Sequence, residues 1–520
     1  MNTERPEWND ANNALVGYGL SMVTTGHLLR YLEFCREWWS ELDHDKQVFL
    51  SAPVAEFVDS LLPIFTNRET DPSICTRDDT LRAQVVCELG LSGQRYRDRV
   101  YAGDFETSKN LPLKAVLDLL EGAERWLRAT LDAAKRPDSL MDSYNILNYS
   151  EDRSSMSVSR LYEMLEGQVS GLSAGHLSSS EAVELVDTMF ESPLYVKDRN
   201  SFLLYPDRRL PAFMNKGLID ESAVQSSKLL QHMLDIKDSR LVTNDSQGKV
   251  RFASSLENKD ALDLLLKALS TEETLTELVE QEFSLTHQIY ENVFNHRAFT
   301  GRSGGMFSFE GLGCIYWHQV SKLLLAVQEC FFNEAEKASP DKELLNALGV
   351  RYYKVRKGLG FNKTAQQYGA FPSDPYSHTP AHSGAQQPGM TGQVKEEVIT
   401  RFGELGIRIR AGALHFDPRL LLASEFIHNS RTFKTTLLDG NVANFELKSG
   451  ELAFTYCQTP FIYIVDSNTG HIRVQINRQD GSQQVSEGSQ LPADAYQDVI
   501  QRTGHIRCVR ITVPERLLFQ

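Results

Sequence analysis

Apolar residues recur three to four positions apart through most of residues 21–134, the period of an amphipathic helix. Leu28, Leu32, Cys35 and Trp39 share one face, which predicts a helix over 21–40. Lys46 to Phe65 carries a second such pattern, with Pro53 as a kink or early break. Thr80 to Leu91 and Leu113 to Ala134 continue it. In the latter, Val116, Leu119, Leu120, Ala123 and Leu127 form an apolar stripe, and Glu121, Glu124, Arg125 and Arg128 face the other way. Paired amphipathic helices on short connections predict stacked helical hairpins. Pro137 to Ser155 is polar and reads as a loop. Between 156 and 250, short helical patterns (Val158 to Leu165, Glu181 to Met189, Ala223 to Leu234) alternate with irregular segments. Leu203 to Pro211 reads as a surface turn, with a cleft lining as the alternative. Long helices return over 259–293.

Cys314 to Leu325 is apolar nearly all round, so the helix it predicts is buried. Val394 to Glu404 predicts one more helix. After Gly406 the period changes to strict alternation: Ile407 to Arg410, Leu414 to Phe416, Phe445 to Leu447, Phe454 to Tyr456, Ile472 to Ile476 and Val509 to Val513 read as strands. The fold class is therefore mainly α with a C-terminal antiparallel β domain. The boundary falls at 405/406, with an insertion in the helical region at about 140–280.

Composition narrows the function without naming it. A net charge of −15 argues against a nucleic-acid partner, because a phosphate backbone needs a basic footprint. A small anion needs only a local cluster of donors and stays open. The seven cysteines are scattered and lack CxxC spacing, which suits free thiols in a reducing compartment. Met1 to Asp10 is polar and no long apolar run follows, so the expected location is the cytoplasm, away from the membrane.

Three stretches carry chemistry. Glu7-Trp8-Asn9-Asp10-Ala11-Asn12-Asn13 combines two carboxylates, three amides and an indole ahead of a helix. A carboxyl there can protonate a leaving oxygen, the indole can cover a sugar ring and the amides can read hydroxyls. An Asx-rich helix cap is the plain alternative. Residues 301–313 hold five glycines in thirteen positions, which lets backbone N–H groups approach a ligand. No GK[ST] follows, so this is no Walker loop. His318 then falls in the first turn of the buried helix, where an anion is favoured. A satisfied core histidine is the alternative. In Phe371 to Gln393, Pro380 separates His378 from His382, which argues against a zinc pair on one helix face. Thr391 and Gly392 precede a helix and offer a hydroxyl and N–H groups to an oxyanion.

Taken in order, these segments resemble the inverting glycoside phosphorylases of the cellobiose and chitobiose phosphorylase family. Trp8-Asn9-Asp10 is similar to the motif whose aspartate is the general acid. Ile315-Tyr316-Trp317-His318 is similar to the segment ending in a phosphate-binding histidine. Met390-Thr391-Gly392 is similar to the pair that holds the same phosphate. The long gap from Asp10 to His318 points to the β-1,3-oligoglucan phosphorylases. The resemblance implies a partial (α/α)6 barrel of the six-hairpin glycosidase type followed by the β domain. It implies Asp10 as acid, His318, Thr391 and Gly392 as the phosphate seat, and Trp8, Asn9, Tyr316 and Trp317 as sugar contacts.

The implied reaction is inverting phosphorolysis of β-glucosidic linkages in oligosaccharides, giving α-glucose 1-phosphate. Inorganic phosphate is the co-substrate, and neither cofactor nor metal is called for. Phosphate is itself the nucleophile, so an anion seat replaces the base of an inverting hydrolase. The resemblance covers only the second half of such an enzyme, because the acid motif begins at residue 8. The family's phosphate-binding arginine falls in the other half, and Arg297 or Arg302 is a guess at a substitute. The chain is thus expected to show little activity alone and to expose apolar faces. Its expected partner is a separately encoded N-terminal half or a second copy. A non-catalytic carbohydrate-binding or assembly subunit, and an inverting hydrolase using Glu310 as base, are the competing readings.

Overall fold

The computed structural model describes residues 18–67, 70–105, 107–150, 152–207, 212–294, 313, 315–359, 378–379 and 392–520. It divides into two compact units, one formed by Met1–Asp207 with Met306–Gln520 and the other by Arg208–Gly305. The chain is mainly helical, with a C-terminal region of mostly antiparallel strands. No helix among the described residues is long and apolar enough to cross a membrane.

The first unit opens with the Met22–Ser40 helix, capped by Ser21, whose hydroxyl accepts from Thr24 N–H at 3.0 Å. The single helix expected over Lys46 to Phe65 is two elements. Gln47–Ser51 pairs as a strand with Ser108–Pro112, and the helix runs Ala52–Thr66. Pro53 starts that helix rather than breaking it, since the first turn has no use for the missing N–H. Two further helices, Asp79–Tyr101 and Leu113–Ala133, complete this region.

Residues 140–207 pack into this first unit rather than with 208–280. The loop expected over Pro137 to Ser155 contains the strand Tyr144–Tyr149, the middle of a three-stranded sheet between Gly19–Ser21 and Met156–Arg160. Tyr144, Asn145, Ile146 and Leu147 are all buried, so no alternation marks them. Met156–Arg160 is likewise a strand, not the start of a helix. The helix begins at Leu165 and is buried through Leu172. It approaches its neighbours closely: a Cβ on Gly167 would lie 2.4 Å from Ser143 Oγ, and one on Gly26 would lie 2.5 Å from Ser170 Oγ. Gln168 spans Met141, accepting from its N–H and donating to its carbonyl, both at 2.8 Å. Leu203, Leu204 and Tyr205, read as a surface turn, are buried, and Leu204 O accepts from Leu165 N at 3.0 Å.

The predicted buried helix is Trp317–Ala335, and it packs against Leu165–Ser173, Ser179–Glu191, Lys342–Arg356 and Gly392–Glu404. Two of its buried polar side chains, Gln328 and Glu334, are satisfied inside the protein. Gln328 Nε2 donates to Thr400 O at 2.8 Å. Glu334 accepts from Ser179, Lys337 and Asp341 N–H, and these donors outweigh burial and hold its pKa at about 2.

In the C-terminal region the central sheet has five strands in the order Glu451–Tyr456, Thr459–Asp466, Ile506–Pro514, Arg473–Arg478, Gln483–Glu487. The expected all-antiparallel pattern fails at one pair: Thr459–Asp466 and Ile506–Pro514 run parallel. The Ala493–Ile500 helix lies between the last two strands in sequence, Gln483–Glu487 and Ile506–Pro514. Gly406, at φ +71°, makes the turn from helix to sheet where a Cβ would lie 2.2 Å from the Asp417 carbonyl carbon.

The second unit has its own core around Leu229, Met233, Leu262, Leu266 and Tyr290. The helix expected over Ala223 to Leu234 is broken at Ser227, whose hydroxyl caps Leu230 N–H and donates to Glu282 at 2.6 Å. Lys259–Leu269 and Thr276–Phe294 are the long helices foreseen there.

Glu404, 1% exposed, ties the Gly392–Glu404 helix to the rest of the first unit. It accepts from Tyr352 OH at 2.5 Å and pairs with Arg356 Nε and Arg401 Nη1, each at 2.7 Å. Arg401 also pairs with Glu425 at 2.6 Å, and Arg356 with Glu397 at 2.8 Å. A buried carboxylate persists only when so completely paired, and removing one partner strands the others. Glu404→Ala is therefore expected to destabilise the protein by about 3–5 kcal/mol, measured by urea unfolding. A loss below about 1 kcal/mol would show that the network is no more than a surface-like ion pair.

Candidate functional site

A cavity of about 390 Å³ lies in the first unit where five elements meet. The Met22–Ser40 helix contributes His27 and Arg30, the Tyr144 strand its phenol, and the Leu165–Ser173 helix Glu166 and Ser170. The start of the buried helix contributes Tyr316, His318 and Lys322, and the Gly392–Glu404 helix contributes Glu396. Each of these residues belongs to a helix or strand, and His27 and Arg30 lie at exposed positions of theirs.

His318 is at its centre. The Tyr316 hydroxyl meets His318 Nδ1 at 3.2 Å, with the two rings edge to face. On the other side, His318 Nε2 lies 3.5 Å from Glu396 Oε2. Lys322 is one helical turn further on and has no ion-pair partner among the described residues. Burial pulls the His318 pKa below its ordinary 6.5, Lys322 adds to that, and Glu396 opposes it. At the exposed rim, His27 is shifted the same way, first by partial desolvation, then by Lys322 and Arg30. Arg30 is held by Glu329 through two bonds of 2.8 Å, and Tyr144 OH donates to Glu166 at 2.9 Å. The cavity presents Lys322 and two imidazoles as donors to a small anion, beside the Glu166, Glu329 and Glu396 carboxylates.

Of the residues singled out from sequence, Tyr316 and His318 are brought together in this cavity. Trp317 sits beside them but is 1% exposed and turned into the core. Gly392 opens the helix that carries Glu396 to His318. Trp8, Asn9, Asp10 and Thr391 lie outside the described residues, as do Arg297, Arg302, Glu310 and His382. The strand His378–Thr379 pairs with Ile315–Tyr316, placing the His378 backbone opposite Tyr316. Among the described residues no cluster of His, Cys, Asp or Glu suits a metal. His27, Arg30, Glu166, Lys322 and Glu396 were not foreseen. Lys322 alone had a visible signal, the one Lys, Arg, Asp or Glu in the apolar stretch Cys314 to Leu325.

With its pKa depressed, His318 is neutral in the folded protein at pH 7. Its contribution to stability is complete above 6.5, the unfolded value, and is lost as pH falls through the lower folded value. There the unfolded chain binds a proton that the folded chain resists. His318→Gln should accordingly show a smaller drop in melting temperature between pH 7.5 and pH 5 than the parent protein. An equal drop in both would reject the depressed pKa.

Comparison with known proteins bears on the second unit. Residues 210–297 match the family model described as GH149 phosphorylase insertion domain 2. The match falls within the compact unit Arg208–Gly305. No curated protein matches the chain. The chain thus contains a segment similar to a domain of glycoside phosphorylases.

Proposed function

We propose that the chain is the phosphate-handling part of an inverting glycoside phosphorylase acting on β-glucosidic, β-1,3-linked oligosaccharides in the cytoplasm. The observation that carries this reading is the match of residues 210–297 to the phosphorylase insertion domain. The polar cavity around His318 is what such an enzyme would need for its anion. In this reading the helical region is part of an (α/α)6 barrel. Asp10 protonates the glycosidic oxygen as the C–O bond breaks. A phosphate oxygen attacks the anomeric carbon from the opposite face, and the product is α-glucose 1-phosphate.

In the same reading His318, Thr391 and the Gly392 N–H hold the phosphate, and Lys322 supplies fixed positive charge that the sequence resemblance left unassigned. Trp8, Asn9 and Tyr316 would contact sugar, with Trp317 packing behind them. A neutral imidazole fits this role, because it can donate one hydrogen bond to the anion without surrendering a proton to the leaving group. Proton delivery then falls to the carboxyl on the other face.

The test is release of glucose 1-phosphate from laminari-oligosaccharides. It is run with the chain alone and with a polypeptide supplying the region that precedes the acid motif in the related enzymes. Turnover is expected to require phosphate. Asp10→Asn should lower it by at least about a hundredfold. Sugar release without phosphate would identify a hydrolase instead. Oligosaccharide binding with no turnover in either arrangement would identify a binding subunit.

A further inference from the structure

His318 is held unequally on its two sides. Its Nδ1 side is already occupied by the Tyr316 hydroxyl at 3.2 Å, which sets the ring's orientation. Its Nε2 side faces Glu396 at 3.5 Å, long for a hydrogen bond, and neither atom finds another partner among the described residues. Glu396 is 4% exposed, so this is a buried carboxylate aimed at the atom that would bind an anion. A carboxylate that orients a histidine normally closes to a short, aligned bond. Here that task belongs to Tyr316, and Glu396 stands where an anionic oxygen would sit.

We propose that Glu396 is a built-in competitor of the phosphate. Its carboxylate fills the Nε2 side of His318 when the site is empty and must turn away for the anion to enter. The proposal rests on the phosphorylase reading for the identity of the anion. A phosphate oxygen and the Glu396 carboxylate cannot share the same side of one imidazole, because both are acceptors and both are negative. A place for the displaced carboxylate exists. Its other oxygen, Oε1, is 3.6 Å from Lys395 Nζ, whose side chain is 64% exposed. The groups facing His318 from the surrounding elements are Tyr316 and Lys322 on its own segment and Lys395 and Glu396 on the Gly392–Glu404 helix. His27, Arg30 with Glu329, and Glu166 face the same cavity. The arriving anion thus gains His318 and Lys322, while Glu396 gives up only the 3.5 Å contact with Nε2 and keeps the ion pair it already makes with Lys395.

The experiment is titration of the full chain with inorganic phosphate at pH 7, comparing the parent protein with Glu396→Gln. Glutamine keeps the shape and removes the charge, so phosphate should bind at least about tenfold more tightly. A folding defect cannot imitate a gain in affinity. Equal or weaker binding by a folded Glu396→Gln, with the parent still binding, would overturn the competition and leave the phosphorylase reading standing. Absence of phosphate binding in both proteins, alone and with the region that precedes the acid motif in the related enzymes supplied, would overturn that reading and this inference together. If Glu396→Gln does not fold, a crystal structure of the unmodified protein soaked in phosphate decides. Glu396 moved off Nε2 with phosphate in its place supports the proposal, and phosphate bound with Glu396 still against Nε2 rejects it.

Discussion

The Trp317–Ala335 helix is enclosed by protein on nearly every side, and each polar atom it carries inward has to be met by a particular neighbour. Gln328 is met by the Thr400 carbonyl, Glu334 by Ser179, Lys337 and the Asp341 N–H. These bonds fix register as well as proximity. A Cβ on Gly403 would lie 2.1 Å from Gln328 Oε1, so the Gly392–Glu404 helix can come this close only because that position is glycine. The same helix is pinned at its end by Glu404 and brings Glu396 to His318. The geometry of the cavity is in this sense a by-product of how one buried helix satisfies its hydrogen bonds.

For long helices with one face in solvent, the sequence pattern was sufficient. Met22–Ser40 and Leu113–Ala133 lie within a residue or two of the periods that announced them. Two of the elements that escaped notice are buried on both faces, while others, such as Gln47–Ser51 and Met156–Arg160, are partly or largely exposed. Tyr144–Tyr149 looked like loop, and Thr459–Asp466, a central strand, was not seen because Phe461, Ile462 and Tyr463 are all buried. With no polar side to alternate against, period carries no information. Pro53 misled for a different reason: proline marks a helix start as readily as a break, and only the strand before it decides.

The site was legible in the same uneven way. His318 and Tyr316 could be named because they are adjacent and aromatic-rich. Glu396, Glu166 and His27 are scattered along the chain, and each alone resembles an ordinary helix residue. They acquire meaning only through distances of 3–4 Å that no local window contains. The depressed pKa of His318 likewise depends on Lys322 and on burial by separate helices, a collective property of the packing.

The placement of the second unit has a consequence for synthesis. The Leu165–Ser173 and Ser179–Glu191 helices leave the ribosome with faces shaped for the Trp317–Ala335 helix, but the whole Arg208–Gly305 unit is made before that helix. At about 5–20 residues per second the wait is on the order of ten seconds. Through that interval a self-contained unit, with a core drawn from its own residues, folds while the earlier helices remain uncovered. An insertion at this point therefore lengthens the time during which the apolar surface of a nascent chain is open to other chains, and it makes translation speed a determinant of yield.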